Sequence, residues 1–400
     1  MDDTIGPAAP SSLAIVGTFV PRHCGIATFT SDLHAALRTR YPCLRSSVVA
    51  VDDTAEGYDY PPAVELRLAQ HDRASYSTVA DELNARRVDA VLVQHEYGIF
   101  GGESGRHLLP MLRALRMPIV TTLHTVLAAP SADQHAVLCA LAALSTRVVV
   151  MSRYGKELLR RVYGVSAARI DVVPHGIADV PFTDPGQHKA ALGLAGRDVL
   201  LTFGLLSPNK GIEQVVRALP TVLAQRPDVT YVVAGETHPH VRRGPDGESY
   251  RAFLHAEIRR YGVADHVVFY DRFLDTADLL ELLLATDVYI TPYRSREQIV
   301  SGTLAAALGS GRAVVSTPYS YAAELLGEGR GRLVEPDDPV ALAREVGNLL
   351  DDPDELHATR RRAWVHGRDM VWAEVAARYA ASLARAFATH RTSTPFGIAS

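Results

Sequence analysis

The chain has 400 residues, which is too long for one ordinary hydrophobic core, so we expect two domains. Its 47% hydrophobic and 22% charged residues are typical of a globular protein and exclude a disordered one, and a net charge of -4 spread along the sequence excludes a clustered basic face for nucleic acid. No apolar run reaches the roughly 18 residues of a transmembrane helix, so we expect membrane contact to be peripheral at most.

The amino-terminal segment and the cysteines bear on the compartment. The first twelve residues, MDDTIGPAAPSS, are acidic and contain Pro and Ser, unlike a signal peptide. The three cysteines, Cys24, Cys43 and Cys139, have no CxxC spacing. The small number of cysteines and the lack of CxxC spacing indicate a reducing environment and exclude a cysteine-rich structural zinc site. We therefore expect a cytoplasmic protein.

Short runs rich in Val, Ile and Leu alternate with amphipathic stretches along the whole chain. Continuous apolar runs are typical of strands buried on both faces of a parallel sheet. About six such runs precede residue 180 and about five follow residue 197. Helices are predicted between them at 30–39, 79–86, 104–116, 133–145, 153–163, 211–225, 249–261, 277–286 and 303–309. This alternation predicts the α/β class with two Rossmann-like domains.

The segment 177–198, IADVPFTDPGQHKAALGLAGRD, is rich in Gly, Pro and Asp and has no strong apolar run. We interpret it as the interdomain connection, with one domain over residues 1–180 and another over 181–369. Ligands of open α/β sheets bind beyond the carboxyl ends of the strands, so we expect two ligand-binding rims facing each other across a cleft. A long helical pattern at about 354–388 contains Trp364 and Trp372.

Two strand ends in the first half carry candidate ligand-binding residues. In GTFVPRHCGIATFTSDL (17–33), Gly25 precedes a helix that we predict to start near Thr28. Glycine lets a ligand approach the backbone, and a helix start offers free N–H groups to an anion; the alternative is a glycine needed only for packing. In TTLHTVL (121–127), His124 ends a strand, and two neighbouring strand ends favour a functional role over a structural one.

The adjacent residues His95 and Glu96 end the strand in VQHEYGIFGGESG (93–105). An acid beside an imidazole suits acid–base chemistry or the binding of sugar hydroxyls. The alternative is a pair that only hydrogen-bonds its own loop. A HExxH zinc site is excluded because Ile99 stands where the second histidine is required.

Two strand ends in the second half offer further polar residues. In FGLLSPNKGIEQVVRAL (203–219), Lys210 stands at a helix start before a glycine, which suits a phosphate cradle; the alternative is an exposed lysine. In VVAGETHPHVRR (232–243), Glu236 and His238 either line the ligand rim or lie in a solvated loop.

The stretch REQIVSGTLAAALGSGRAVVSTP (296–318) predicts a second anion-binding helix start. Ser301, Gly302 and Thr303 would present hydroxyls and N–H groups there; the alternative is that Ser301 acts only as an N-cap. Two such helix starts in one domain indicate a diphosphate, or a phosphate together with a sugar. Glu297 is the only acid beside this helix start.

Several of these stretches together resemble one family. RVVVMSRYGKELL with IDVVPHGI, FGLLSPNKGIEQVVRALP, ATDVYITPY and GSGRAVVSTP, in this order, resemble the retaining glycosyltransferases of family 4 (group 1), which have the GT-B fold. The resemblance extends from about residue 13 to about residue 388. It implies an acceptor-binding N-terminal domain, a C-terminal domain for a nucleotide-sugar, and a last segment, 370–400, that crosses back onto the N-terminal domain.

The resemblance also implies roles for individual residues. His124 matches the histidine beside the transferred sugar, and Lys210 matches a lysine on the donor diphosphate. Gly25 matches the glycine loop that approaches the donor phosphate, and Glu297 or Gln298 matches an acid that contacts the sugar. The amides of residues 301–303 match those that hold the distal phosphate.

Two departures from the family concern the donor site. The family usually has Gly-Arg-Leu before the lysine turn, where this chain has Gly204-Leu205-Leu206. It also usually has a second glutamate eight residues after the first, where this chain has Ala305 or Ala306. Arg242, Arg243 or Arg272 could supply the missing positive charge.

The leading hypothesis is a retaining transferase that moves a hexosyl group from a nucleotide-diphosphate sugar to a hydroxyl acceptor. The acceptor would be a sugar, a lipid-linked sugar or a small metabolite. We expect no metal or other cofactor, because no DxD motif is present and Asp52-Asp53 lacks the context of one. The alternatives are a phosphorylase that uses a sugar 1-phosphate and a non-catalytic sugar- or nucleotide-binding protein. A dehydrogenase is excluded because GTFVPRHCG lacks the GxGxxG sequence.

Overall fold

The computed structural model describes residues 9–237 and 247–393. The chain divides into two compact units, the first comprising Met1–Gly176 with Trp372–Ser400 and the second Ile177–Val371. Each unit contains its own parallel sheet with helices packed against it. The predicted α/β class is therefore confirmed.

The first unit is built on a sheet whose described strands all run parallel, in the order β3-β2-β1-β4-β5-β6-β7. The chain order reverses between β1 and β4, which pair with Val16 opposite Val93. The strands are β1 Ser12–Gly17, β2 Arg45–Asp52, β3 Val64–Ala69, β4 Ala90–His95, β5 Ile119–Leu123, β6 Arg147–Val150 and β7 Ile170–Val172. The helices up to residue 176 are α1 Gly25–Arg40, α2 Arg73–Ala85, α3 Leu108–Ala114, α4 Ala132–Leu144 and α5 Arg153–Arg161.

The second unit repeats this design with the strand order β10-β9-β8-β11-β12-β13. The order reverses between β8 and β11, where Val288 pairs with Leu200. The strands are β8 Asp198–Phe203, β9 Val229–Ala234, β10 Val267–Tyr270, β11 Val288–Thr291, β12 Ala313–Ser316 and β13 Arg332–Leu333. The helices are α6 Gly186–Lys189, α7 Ile212–Leu223, α8 Ser249–Arg260, α9 Thr276–Leu284, α10 Gly302–Gly309, α11 Ser320–Leu325, α12 Pro339–Asp351 and α13 Pro353–Gly367.

The central strands of both sheets are buried along nearly their whole length. Every residue of β1, β4 and β9 is buried, as their continuous apolar runs predict. Helices cover both faces, so the polar groups at the carboxyl ends of the strands lie next to the main core. A reversal of strand order leaves a crevice at that edge, which is where ligands of such sheets bind.

Several element boundaries differ from the predictions. Strand β3 was missed because its residues alternate between exposed and more buried positions, so it lacks a continuous apolar run. The two-residue β13 was missed as well. Helix α1 begins at Gly25 rather than near Thr28. Helix α2 begins at Arg73 rather than at 79, because the side chain of Asp72 caps it there.

The predicted long helix at 354–388 is two helices. Helix α13 ends at Gly367, a 3-10 turn covers Arg368–Met370, and a last helix, α14, runs from Trp372 to Ser393. Val371 is extended and forms a parallel bridge with Ile177, which interrupts the helix. Helix α14 packs against α1 and belongs to the first unit. Across residues 9–237 and 247–393, no helix is long and apolar enough to span a membrane.

Candidate active site

The carboxyl edge of the first sheet brings together residues from the ends of β1, β4 and β5. Strands β4 and β5 pair up to His95 opposite Leu123, and the backbone N–H of His124 donates to the carbonyl of His95 at 3.0 Å. The predicted residues His95, Glu96 and His124 therefore lie at one edge, next to the reversal of strand order between β1 and β4.

His124 is buried and hydrogen-bonded to a neighbour on β4. Its Nε2 lies 2.9 Å from Oε1 of Gln94, and its ring meets the ring of Phe29 edge-on at a centroid distance of 5.0 Å. Burial, together with His175 and His95 nearby, lowers the pKa of His124 to about 3. The ring is therefore neutral at physiological pH and can exchange hydrogen bonds with an uncharged hydroxyl.

His95 points to the opposite face of the sheet from Gln94, because successive side chains of a strand alternate. It is fully buried and stacks on Phe100 at 6.0 Å, and neither ring nitrogen has a hydrogen-bond partner among the described residues. Burial lowers its pKa to about 3. His95 is thus a neutral imidazole with its hydrogen-bonding capacity unused.

Glu96 is held by its own loop rather than by His95. Its carboxylate accepts from the backbone N–H of Tyr97 at 2.9 Å and from Oγ1 of Thr125 at 2.5 Å. Burial raises its pKa even though both hydrogen bonds favour the carboxylate. The two residues that the sequence sets side by side therefore have separate environments, and they do not form a hydrogen-bonded pair.

Gly25 is the first residue of α1 and is exposed. The N-cap Cys24 makes no side-chain hydrogen bond to the helix, and the first turn carries no acid. A Cβ at Gly25 would meet no atom within 4 Å. The first N–H groups of α1 therefore remain uncapped by side chains, which is compatible with an anion there.

Lys210 lies in a 3-10 turn, Pro208–Lys210, that connects β8 to α7. Gly211, at φ +62°, closes this turn, and a Cβ there would lie 2.1 Å from the carbonyl oxygen of Pro292. Asn209 fixes the turn to the segment after β11, since its two oxygens accept from the backbone N–H groups of Arg294 at 3.0 Å and Ser295 at 2.8 Å. The lysine thus stands at the reversal of strand order between β8 and β11.

A chain of hydrogen bonds connects Lys210 to the start of α10. Nζ of Lys210 donates to the hydroxyl of Tyr293 at 2.6 Å, that hydroxyl lies 2.9 Å from Oγ1 of Thr303, and Thr303 lies 3.1 Å from Oγ of Ser301. Burial favours the neutral phenol of Tyr293, but the charge of Lys210 and these hydrogen bonds outweigh it and lower its pKa. These hydrogen bonds fix the position of Lys210 next to the start of α10.

Ser301 is the N-cap of α10, and its Oγ accepts from the backbone N–H of Leu304 at 3.3 Å. The hydroxyls of Ser301 and Thr303 therefore both make hydrogen bonds inside the unit, and their predicted contact with an anion stays a prediction. The N–H groups of Gly302 and Thr303 belong to the first turn and have no helical acceptor. These backbone amides are therefore compatible with an anion at the start of α10.

The other candidates have different surroundings. Glu297 is exposed, and its backbone N–H lies 3.4 Å from Oγ of Ser295. Gln298 is half-buried and donates from Nε2 to the carbonyl of Val300 at 2.9 Å. Glu236 follows the end of β9, and its carbonyl accepts from the N–H of Leu206 at 2.9 Å. His238 lies outside the described residues.

One of the three arginines considered as a source of the missing positive charge lies among the described residues. Arg272 is paired with Asp278 at 2.5 Å, while Arg242 and Arg243 lie outside the described residues. Arg294, which sequence reasoning missed, follows β11 next to Tyr293 and forms an ion pair with the buried Glu213 at 2.5 Å. Its guanidinium therefore neutralises a buried carboxylate.

Tyr293 and Gln94 are the other residues that sequence reasoning missed. Both lie at the ends of strands next to a reversal of strand order, Tyr293 after β11 and Gln94 at the end of β4. The sequence analysis could have found them by treating every polar residue at the carboxyl ends of the predicted strands as a candidate site residue. Among residues 9–237 and 247–393, no three His, Cys, Asp or Glu side chains are grouped so that they could hold a metal ion.

Comparison with known families gives two matches that cover different parts of the chain. The family described as "Glycosyltransferase Family 4" matches residues 25–179, and that described as "Glycosyl transferases group 1" matches residues 197–352. The two matches fall on the two sheets described above.

Two curated relatives are similar over about half the chain. A GDP-mannose-dependent alpha-(1-6)-phosphatidylinositol monomannoside mannosyltransferase of Mycolicibacterium smegmatis is 29% identical over 52% of this chain and 53% of its own. A D-inositol 3-phosphate glycosyltransferase of Segniliparus rotundus is 28% identical over 58% of this chain and 50% of its own. The chain therefore spans about half the length of the curated relatives it matches.

The fold is similar to that of solved structures along nearly the whole chain. The crystal structure of HepE from Anabaena in complex with UDP and glucose covers 93% of this chain and 99% of its own, with a TM-score of 0.72 and 20% identity. At that identity the similarity concerns the fold.

Proposed function

The chain belongs to the group 1 glycosyltransferases of family 4, and we propose that it transfers a hexosyl group from a nucleotide-diphosphate sugar to a hydroxyl acceptor with retention of anomeric configuration. The observation that carries this proposal is the hydrogen-bonded chain from Lys210 through Tyr293 to Thr303, at the reversal of strand order in the second sheet. These hydrogen bonds hold the Lys210 side chain beside the backbone N–H groups of the first turn of α10.

These groups suit a diphosphate leaving group. As the glycosidic bond of the donor breaks, negative charge develops on the phosphate oxygen that leaves. Lys210 and the N–H groups of Gly302 and Thr303 would stabilise that charge, and their preorganised positions cost no rearrangement during the reaction. The cation and the helix start supply the kind of charge stabilisation that a divalent ion gives elsewhere, so we propose that no metal is required.

The neutral residues of the first sheet suit uncharged hydroxyls. His124 would hold a hydroxyl of the transferred sugar, and the exposed Glu297 of the second unit would contact its 3- and 4-hydroxyls. No protein nucleophile is needed if the leaving phosphate takes the proton of the acceptor hydroxyl on the same face of the sugar. His95, Glu96, Glu236 and Gln298 stay candidates for contacts with the donor or the acceptor.

The names of the similar proteins support this donor and acceptor chemistry. One curated relative is described as dependent on GDP-mannose, and HepE of Anabaena was crystallised with UDP and glucose. The acceptors in the two relatives' names are a phosphatidylinositol mannoside and an inositol phosphate, both of which carry hydroxyls. Cys24, Cys43 and Cys139 are free thiols, which agrees with the proposed cytoplasmic location.

The first experiment measures thermal stabilisation of the protein by nucleoside diphosphates, nucleotide-sugars and hexose 1-phosphates. We expect stabilisation by at least one nucleotide-sugar and its nucleoside diphosphate, and none of it in the variant Lys210→Ala. Lys156→Ala, on α5, is the matched control and should bind as the wild type does. Stabilisation by a hexose 1-phosphate alone would instead indicate a phosphorylase.

The second experiment uses the donor found in the first. Incubation with a panel of hydroxyl acceptors should release the nucleoside diphosphate and give a glycoside with the anomeric configuration of the donor, measured by proton NMR of the product. Activity should persist after the protein is treated with a chelator. An inverted product would contradict the retaining mechanism, and binding without turnover of any acceptor would indicate a non-catalytic sugar-binding protein.

A further inference from the structure

We infer that Gln94 is a positioning residue for His124: its side-chain carbonyl keeps the imidazole in the tautomer with hydrogen on Nε2, so that Nδ1 is a hydrogen-bond acceptor. This inference deepens the proposed function and rests on it for the catalytic consequence. It predicts that His124 accepts a hydrogen bond from a hydroxyl of the transferred sugar rather than donating one.

The contact between the two side chains carries the inference. Gln94 is fully buried, and its Oε1 lies 2.9 Å from Nε2 of His124. With Gln94 oriented so that its Oε1 faces the ring, Nε2 of His124 is the donor, because a carbonyl oxygen can only accept. A neutral imidazole has one N–H, and the other nitrogen then keeps its lone pair.

The surroundings of His124 support a neutral ring in a fixed orientation. The ring is 8% exposed and packs edge-on against Phe29 at an angle of 90°. The titratable groups that influence its charge are the imidazoles of the buried His95 and the half-buried His175, and desolvation lowers the pKa of each, to about 3 and about 4. Among the described residues no hydrogen bond reaches Nδ1 of His124, so this atom remains for a ligand.

Gly17 makes room for this arrangement. It ends β1, and the pairing of Val16 with Val93 brings it beside Gln94. A Cβ at Gly17 would lie 2.9 Å from Cβ and 3.4 Å from Cγ of Gln94, closer than two carbon atoms tolerate. Glycine at this position therefore lets the glutamine side chain extend to His124. It gives Gly17 a role in placing that side chain.

The direct test reads the tautomer itself. The protein is labelled with ¹⁵N-histidine, and a long-range ¹H–¹⁵N correlation spectrum is recorded, in which the signals of His124 are identified by their loss in His124→Gln. We expect the pattern of the Nε2–H tautomer in the wild type and a mixture of both tautomers in Gln94→Met, a variant of similar shape that offers no acceptor. An Nδ1–H pattern in the wild type overturns the inference, and so does an unchanged pattern in Gln94→Met.

A second variant keeps the test decisive if Gln94→Met does not fold. Gln94→Asn keeps an amide but is one methylene shorter, so its Oδ1 falls short of Nε2 of His124 and the ring should show the mixture of tautomers expected for Gln94→Met. A spectrum identical to that of the wild type in Gln94→Asn contradicts the contact. These spectra need no substrate, so they decide the tautomer even if the proposed transferase activity is wrong.

The kinetic test separates positioning from a purely structural role. Gln94→Met should lower kcat about tenfold with little change in KM for the donor, because one hydrogen bond to His124 loses its fixed geometry. Gln70→Met is the matched control, because Gln70 is also a buried glutamine of the first unit and donates to the carbonyl of Gly98 at 3.0 Å. An equal loss of kcat in both variants would assign Gln94 a structural role alone.

Discussion

The carboxyl edges of the two sheets use opposite chemistry. At the edge of the first sheet His95 and His124 are buried imidazoles that burial keeps uncharged, and burial raises the pKa of Glu96. At the edge of the second sheet the cation of Lys210 stands beside the free amides of α10. The strand order reverses in the same way in both sheets, so the difference between the two edges lies in their side chains.

The difference follows from what each edge is proposed to bind. Sugar hydroxyls are uncharged, and a buried neutral imidazole can exchange hydrogen bonds with them without the cost of desolvating a charge. A diphosphate carries charge and gains more during the reaction, so it requires a cation and oriented dipoles. Two sheets of one topology thus become specialised through a few residues at their strand ends.

Acidification should produce the largest difference between the two units, in their stability. The three histidines whose pKa values are lowered most, His95, His124 and His175, all lie in the first unit. A histidine whose pKa is lower in the folded protein than in the unfolded chain binds a proton preferentially in the unfolded state. The protein therefore has its full stability above about pH 6.5, the pKa of an unfolded histidine, and loses stability as the pH falls from there toward the folded pKa. At pH 4.5 we expect roughly 2–3 kcal/mol of lost stability for each of His95, His124 and His175.

Carboxyl groups with raised pKa values act in the opposite direction, since they stabilise the fold as the pH falls. Asp32, with a pKa of about 6, and Glu96 do so in the first unit, and Asp287 does so in the second. We therefore expect His95, His124 and His175 to produce a net loss of stability in the first unit on acidification. Hydrogen exchange measured by mass spectrometry between pH 7 and pH 4.5, corrected for its intrinsic rate, should show β4 and β5 losing protection before β8 and β9; the reverse order would refute this assignment.

Lys210→Ala should have the largest effect on catalysis. It removes the one cation that the proposal sets on the donor diphosphate, so kcat/KM should fall about 10²–10³-fold. The affinity for the nucleoside diphosphate, measured by calorimetry, should fall with it. Lys156→Ala should retain wild-type values in both measurements, and a loss of less than about threefold in Lys210→Ala would remove the lysine from the mechanism.

His124→Ala should sharpen the contrast between the two edges. We expect kcat to fall about 10²-fold, because the sugar loses a positioned hydrogen-bonding partner. The affinity for the nucleoside diphosphate should remain within about twofold of wild type, because that ligand lacks the transferred hexosyl group that His124 is proposed to hold. Circular dichroism checks the fold, and an affinity that falls as much as in Lys210→Ala would show that the two edges do not divide the substrate in this way.

Tyr293→Phe should have the smallest of these effects. It deletes the hydroxyl that joins Lys210 to Thr303 but keeps the ring, which lies 4.1 Å from Nζ of Lys210 and stacks on Tyr319 at 5.1 Å. The loss of one positioning hydrogen bond should lower kcat/KM about fivefold. The control is Tyr321→Phe, because the hydroxyl of Tyr321 is buried without a partner among the described residues, and this variant should be as active as the wild type.

The sequence by itself was sufficient for the fold class and for most of the elements. Buried parallel strands are continuous apolar runs and helices have their own period, and both are local properties of the chain. The prediction failed where that signal is weak, as at β3, whose residues alternate in exposure, and at Val371, where a bridge to Ile177 interrupts a helical pattern. Strand ends also placed His95, Glu96, His124 and Lys210 at the correct edges of their sheets.

Only the tertiary structure decided which groups are bonded to one another. The partners Gln94 and His124 are 30 residues apart, and Lys210 and Tyr293 are 83 residues apart. No local pattern encodes such contacts, because they arise when the order of parallel strands brings distant strand ends together. Burial, which sets the charge of each imidazole, and the engagement of the Ser301 and Thr303 hydroxyls are likewise properties of the folded chain.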